Sequence, residues 1–301
     1  MSSVLSTQDK IKLFPFWLCT LLPLEILYLV SDFLFLIAFY LVRYRRKVVA
    51  ANLKNAFPEK SRKELYGIER RFYRYLADYF IESIYTINMS PAESKRRFII
   101  TNPEALIQQY EKGRNVIVGL AHYGNWEWAN RIPEIIPSKF IAVYRPLSNK
   151  LFDRLYIYIR TKFGGNVVKV KSTLRALAEA KKNNEYFSLY LLGDQRPIRE
   201  DLDYWTMFLN QDTPVITGIE RLPRKFNAVV YYMRVRRIRR GYYSATFELI
   251  TDKPEKEKEN AIVEKFIRTV EGAVIAEPEY WFWSHKRWRY SPQEFKPGYS
   301  N

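Results

Sequence analysis

A single cysteine, Cys19, stands in 301 residues. One thiol excludes an internal disulfide framework and any cysteine-rich metal site, and it suits a reducing compartment. Histidine is almost as scarce. His122 and His285 are far apart, and two separated imidazoles with one thiol make no metal-ligand cluster. No Gly-x4-Gly-Lys run occurs, so the phosphate-binding loop of nucleotide-using enzymes is missing. No metal and no organic cofactor is expected. There is no internal repeat and no low-complexity tract. Acid is in deficit: 32 Asp and Glu stand against 49 Lys and Arg, a formal net charge of +17. Such a field attracts polyanions, whether nucleic acid, anionic lipid head groups or an acidic protein.

Aromatic residues are plentiful, at 16% with 23 Tyr and 7 Trp, which fits a protein at a wet–apolar boundary. From Leu13 to Val42 the chain is mostly apolar, interrupted by Thr20, Glu25, Ser31 and Asp32, with Pro15 and Pro23 near its start. Arg43-Tyr44-Arg45-Arg46-Lys47 follows at once. A cleaved signal peptide would need a small-residue site there, not a basic cluster. Residues 1–47 therefore read as an uncleaved membrane anchor with a basic flank at anionic cytoplasmic head groups. The anchor either spans the bilayer or lies deep in one leaflet, and the sequence does not choose.

Residues 48–301 read as one α/β domain: a mixed, mostly parallel sheet flanked by helices. Ser61 with Glu64 makes a capping box, and apolar residues from Leu65 to Phe80 then recur at helical spacing. Asn115–Ala121, Phe140–Val143, Val167–Val170 and Tyr186–Leu192 read as short strands. Phe152–Phe163 and Ser172–Lys182 read as helices between them. Ala228–Arg236 and Tyr242–Ile250 form a hairpin around Arg240-Gly241, and Glu257–Ala276 a last helix.

His122 stands just past the strand Asn115–Ala121 and before Gly124-Asn125. Carboxyl ends of strands are where ligands bind in α/β sheets. Neutral imidazole there can take a proton from a poorly acidic alcohol near pH 7. A carboxylate on its other ring nitrogen would fix the tautomer. Glu127 is one candidate, and it reaches His122 only if His122 lies in a turn before the helix. Gly124 makes that turn easy. Asp194, at the end of an apolar strand on the same sheet edge, is the other candidate. It acts in place of Glu127 or with it, or else serves as a turn carboxylate.

His122-Tyr123-Gly124-Asn125-Trp126-Glu127 resembles the His-x4-Glu motif of the bacterial lipid A late acyltransferases, the lauroyl and myristoyl type. The resemblance runs along nearly the whole chain. It takes in Tyr44-Arg45-Arg46-Lys47 with Asn52-Leu53 and Ala56-Phe57-Pro58, then Tyr144-Arg145-Pro146 with Asn149 and Asp153. It continues through Gly193-Asp194-Gln195 and Trp283-Ser284-His285-Lys286-Arg287-Trp288. The family implies an O-acyltransferase at the cytoplasmic face of the inner membrane. An acyl carrier protein thioester would donate the chain to a hydroxyl of a lipid A precursor. Catalysis falls to His122 with Glu127 and Asp194. Gly124, Asn125, Trp126, Arg145, Arg160 and Gln195 fall to substrate binding, with Arg145 and Arg160 facing donor or acceptor phosphates. The family's usual Phe-Phe-Gly block is Phe208-Leu209-Asn210 here.

Other readings differ in class. The acceptor can be another membrane lipid, an aminoacyl lipid or a glycerophospholipid. A membrane-anchored polyanion binder without catalysis is the non-enzymatic alternative. The ribbon Arg234, Arg236, Arg237, Arg239 and Arg240 beside Tyr242 and Tyr243 invites nucleic acid. Beside an apolar anchor it fits anionic lipid better, so no nucleic-acid partner is expected. His285, among Trp281, Trp283 and Trp288, reads as a structural histidine.

Overall fold

The computed structural model describes residues 4–291. The N-terminal apolar run is two helices, α1 (Thr7–Cys19) and α2 (Leu24–Leu36), with a π-helical turn over Ile37–Leu41. Ser6 and Asp9 cap α1 reciprocally, and Pro23 starts α2. The segment Leu24–Leu41 is long and apolar enough to cross a membrane by length and composition. Helix α3 (Arg46–Ala56) and the long α4 (Arg62–Tyr85) follow. The capping box at Ser61 and Glu64 forms as expected.

The two acidic interruptions in the apolar run pair with arginines of the domain while staying open to solvent. Glu25 pairs with Arg97 at 3.1 Å, and Asp32 with Arg240 at 2.8 Å. Ser31 donates to Asp78 and Tyr28 to Glu82, both on α4. A polar stripe therefore fastens α2 to the domain. Phe35 and Phe39 complete the attachment inside the main apolar core. The opposite side is bare: Leu29, Phe33 and Leu36 on α2, like Ile11, Phe14 and Leu18 on α1, are about half or more exposed. Of the basic flank, Arg46 turns onto Glu69 and Arg45 onto the Ser284 carbonyl.

Next come α5 (Pro91–Arg97), β1 (Phe98–Ile100), α6 (Glu104–Glu111) and β2 (Val116–Leu120). A 3₁₀ helix over Trp126–Glu134 leads to β3 (Lys139–Tyr144), α7 (Lys150–Thr161), β4 (Asn166–Lys169), α8 (Thr173–Lys182) and β5 (Phe187–Leu192). A hairpin of β6 (Trp205–Phe208) and β7 (Gln211–Pro214) precedes α9 (Gly218–Phe226). The chain closes with β8 (Val229–Arg239), β9 (Tyr242–Thr251) and α10 (Ala261–Ala276). This last helix starts later than Glu257, because Asn260 takes a left-handed conformation and caps it.

Seven strands form one sheet in the order β1-β9-β8-β2-β5-β3-β4. All its neighbours pair parallel except β8 and β9. Strand residues alternate between two cores, as period-2 side chains must. Ile117, Leu189 and Val230 face α8, α9 and α10, while Val118, Tyr190 and Tyr231 face α2, α6 and the 3₁₀ helix. Helix α7 lies on this second side. Its Leu155 and Ile159 pack with Leu13 of α1, and its Arg154 pairs with Asp9 at 2.6 Å.

The Arg234–Arg240 ribbon is largely used up internally. Arg234 pairs with Glu248, Arg237 with Asp78, and Arg240 with Asp32 and Asp78. Arg239 stacks on Tyr242. The hairpin folds against the acids of α2 and α4, so it offers little free charge to any polyanion. Gly241 at its tip has φ +74°, and an added Cβ would meet the Tyr28 hydroxyl, so only glycine lets the tip approach α2.

Candidate active site

The chain leaves β2 toward β3 on one side of the sheet and leaves β5 toward β8 on the other. The crevice between β2 and β5 is therefore the topological switch point, where open α/β sheets bind ligands. Leu120 pairs with Leu192 across these strands. Two residues further on in each chain come His122 and Asp194. The register alone sets them side by side.

They are hydrogen-bonded. Nδ1 of His122 lies 2.7 Å from Oδ1 of Asp194, and the His122 amide donates to Oδ2 at 3.0 Å. The indole of Trp281 donates to the same Oδ2 at 2.8 Å. Asp194 is buried at 1% exposure. Burial alone would raise its carboxyl. The His122 charge and hydrogen bonds, with Trp281, outweigh this and hold it below the usual range. A carboxylate acceptor keeps the proton of neutral His122 on Nδ1 and leaves the Nε2 lone pair free to act as a base. The ring is flanked by Trp126 and Phe282, with centroids 5.0 and 6.3 Å away. Its side chain keeps 17% exposure.

The turn after His122 is tightly held. Gly124 has φ +58°, and a Cβ there would meet Val235 at 2.8 Å. Its amide donates to the Tyr280 carbonyl, and its own carbonyl accepts from Tyr75. Asn125 caps the 3₁₀ helix by accepting from the Trp128 amide at 3.3 Å. Its Nδ2 donates to Glu82 at 2.8 Å. Glu82 is fully buried and also accepts from Tyr28 and Tyr243. Glu82 thus joins the motif turn to α2.

Glu127 does not meet His122. It forms a bidentate pair with Arg160 of α7, with Nε–Oε2 at 2.8 Å, and receives the Tyr79 hydroxyl at 3.5 Å. The turn that Gly124 permits is present, but the 3₁₀ helix points Glu127 at α7. Burial alone would lower the Arg160 guanidinium, and Glu127 more than offsets this, holding it above its ordinary range. The pair stands in the wall of an apolar pocket that also includes Trp126, Phe140, Val143 and Tyr190. Leu120 and Trp126, on either side of His122 in sequence, line the same pocket.

Other expected residues spread out. Gln195 is half-buried beside Asp194. Arg145 is exposed past the end of β3, two strands from β2. His285 is half-buried, and its Nε2 accepts from the Arg196 amide at 3.4 Å. Trp281 and Glu82 went unread in the sequence. Trp281 lies just outside the Trp-x-His-x-Arg run. Glu82, like Asp78, was an acid on the apolar side of a helix, which signals a buried polar partner.

A family model for the bacterial lipid A biosynthesis acyltransferases matches residues 4–290. The chain is 22% identical over 281 residues to the lipid A biosynthesis palmitoleoyltransferase of Escherichia coli K12, covering 92% of this chain and 89% of that one. The same figures relate it to the lipid A biosynthesis acyltransferase of Shigella flexneri. Among solved structures, the 1-acyl-sn-glycerophosphate acyltransferase from Thermotoga maritima is similar over 89% of this chain and 100% of that one, with 13% identity and a TM-score of 0.37. The family match takes in both apolar helices, the His122 turn, Asp194 and Trp281, and this chain belongs to the bacterial lipid A biosynthesis acyltransferase family.

Proposed function

We propose that the chain moves a fatty acyl group from an acyl carrier protein thioester to a hydroxyl of a lipid A precursor, working at the cytoplasmic face of the inner membrane. The observation that carries the chemistry is the His122–Asp194 pair at the sheet switch point, beside an apolar pocket. His122 Nε2 takes the proton from the acceptor hydroxyl. The oxygen attacks the thioester carbonyl carbon and a tetrahedral oxyanion forms. The C–S bond then breaks, and the thiolate leaves with the proton carried by the imidazolium. Asp194 stabilises that imidazolium and holds the ring. The apolar pocket, about 60 Å³ as it stands, receives the first carbons of the acyl chain, and Glu127 with Arg160 shapes its polar wall. In this reading Glu127 positions the donor and Asp194 orients His122.

The bare faces of α1 and α2 favour immersion in one leaflet rather than a crossing. A crossing would carry the Asp32–Arg240–Asp78 cluster into hydrocarbon, where charges are costly.

The test is a variant set in neutral detergent micelles with carrier-protein donor and lipid A precursor. His122→Ala loses about 10²–10⁴-fold in kcat. Asp194→Asn loses about 10²-fold or more with little change in acceptor KM. Glu127→Gln acts mainly on donor KM. Near-normal turnover by folded His122→Ala would sink the reading. A host expressing the chain should yield a lipid A species heavier by one acyl group, and a new glycerophospholipid or aminoacyl lipid instead would reassign the acceptor.

A further inference from the structure

Strands β3 and β4 pair with Tyr144 opposite Lys169. The chain therefore leaves both strands side by side at the rim that bears His122. Five exposed cations gather there: Arg145 and Lys150 after β3, Lys169 at the end of β4, and Lys171 and Arg175 after it. Among the described residues none of the five forms an ion pair, in contrast to Arg234, Arg237 and Arg240 of the β8–β9 hairpin. Asp153, the nearest acid in sequence, is turned onto the Leu147 amide at 2.7 Å. At the other end of β3, Lys139 is neutralised by Glu185 at 2.5 Å. Exposed Leu147, Val170 and Leu174 lie among the cations. An edge-strand lysine that discourages sheet pairing accounts for Lys169. It does not account for the other four or for the exposed apolar residues between them.

We infer that this rim is the docking surface for the acidic carrier protein that presents the acyl thioester; the inference rests on the donor reading above. Three features fit that occupant. Unpaired cations around small apolar patches complement an acidic helical protein and would speed its encounter. β3 and β4 are two and three strands from β2, on the order of 10–15 Å at ordinary strand spacing. A phosphopantetheine arm crosses such a gap and delivers its thioester to His122. Lastly, the patch runs onto α8, whose Leu177 and Ala180 pack on the side of the sheet opposite α1 and α7. A protein can sit across that corner while the bare helices are in lipid.

The test compares wild type with a Lys169→Glu, Lys171→Glu, Arg175→Glu variant of the full chain in neutral detergent micelles. Two donors carry the same acyl chain, one on acyl carrier protein and one on free pantetheine. The variant should lose about tenfold or more in kcat/KM with the carrier protein, through KM, and the gap should narrow with salt. With acyl-pantetheine it should stay within about twofold of wild type. An unchanged carrier-protein KM overturns the docking surface and leaves the donor reading standing. Wild type that uses both donors equally overturns both. Flotation with anionic vesicles separates the remaining case: if the variant loses vesicle binding and keeps its carrier-protein KM, the patch is a membrane contact and the inference fails.

Discussion

Asp194 shows how one buried carboxylate organises this site. Its two oxygens accept from the His122 ring, the His122 amide and the Trp281 indole. Each donor favours the charged form and offsets burial. In Trp281→Phe one donor is gone, and the Asp194 carboxyl should rise. The acid limb of the kcat/KM profile should then move to higher pH and kcat fall about tenfold. A merely structural role for Trp281 would lower stability and leave the acid limb where it is. His285 makes a separate prediction. Burial, then the charges of its neighbours, pushes its imidazole from 6.5 down to about 4. Below about pH 6.5 the unfolded chain binds a proton that the folded chain refuses, so stability falls as pH drops toward 4. Between pH 7 and pH 5 the loss should be about 1–2 kcal/mol, read by denaturant unfolding at both pH values. His285→Gln should flatten that difference, and an equal slope in both proteins would remove His285 as the cause.

At the scale of elements, α2 both faces outward and completes the fold. Its Tyr28 reaches Glu82, which also holds Asn125 of the motif turn. Burial, then the nearby Asp78 charge, raises the Glu82 carboxyl, so this hub depends on its three donors. The outward side should be separable from the inward one. Leu29→Gln with Phe33→Gln should keep unfolding within about 0.5–1 kcal/mol of wild type, as exposed sites do. The same variant should pellet less with lipid vesicles. Deleting residues 1–47 should instead give unfolded or aggregated protein, because Phe35 and Phe39 leave the main core. A folded, monomeric truncation by circular dichroism and size exclusion would show that α2 is only an anchor. The elements differed in how readable they were. Strands β2 and β5 were short apolar runs buried on both faces, and α4 had a reciprocal cap. The β6–β7 hairpin was hidden. It turns at Leu209 and Asn210, with φ of 49° and 59°, a geometry that glycine usually signals and leucine does not.

For the whole molecule, the net charge of +17 already sets every acid against a base, so pairing decides where the excess stands and not how large it is. Much of the positive charge is spent on inward pairs such as Arg237–Asp78 and Arg160–Glu127. The bare apolar sides of α1 and α2 remain, with the unpaired rim. Membrane binding should accordingly have two parts. Anionic vesicles should bind more tightly than neutral ones at low salt, and the difference should shrink on the Debye scale as salt rises. Binding to neutral vesicles should survive high salt. Complete release from both by salt would mean that the apolar helices stay out of lipid.

The chain's pattern was enough for the α/β class, the apolar N-terminus, and the place of His122 just past a buried strand. Each of these rests on local signals: strand-length apolar runs, a long apolar stretch, and one histidine in a distinctive six-residue turn. The choice between Glu127 and Asp194 was beyond such signals. Glu127 is five positions from His122 and Asp194 is 72, yet the parallel register of β2 and β5 puts the distant residue in contact. The 3₁₀ helix meanwhile turns the near one onto Arg160. Which cations stay free was likewise settled by folding, since pairing depends on acids brought in from α2, α4 and β9 rather than on neighbours along the chain.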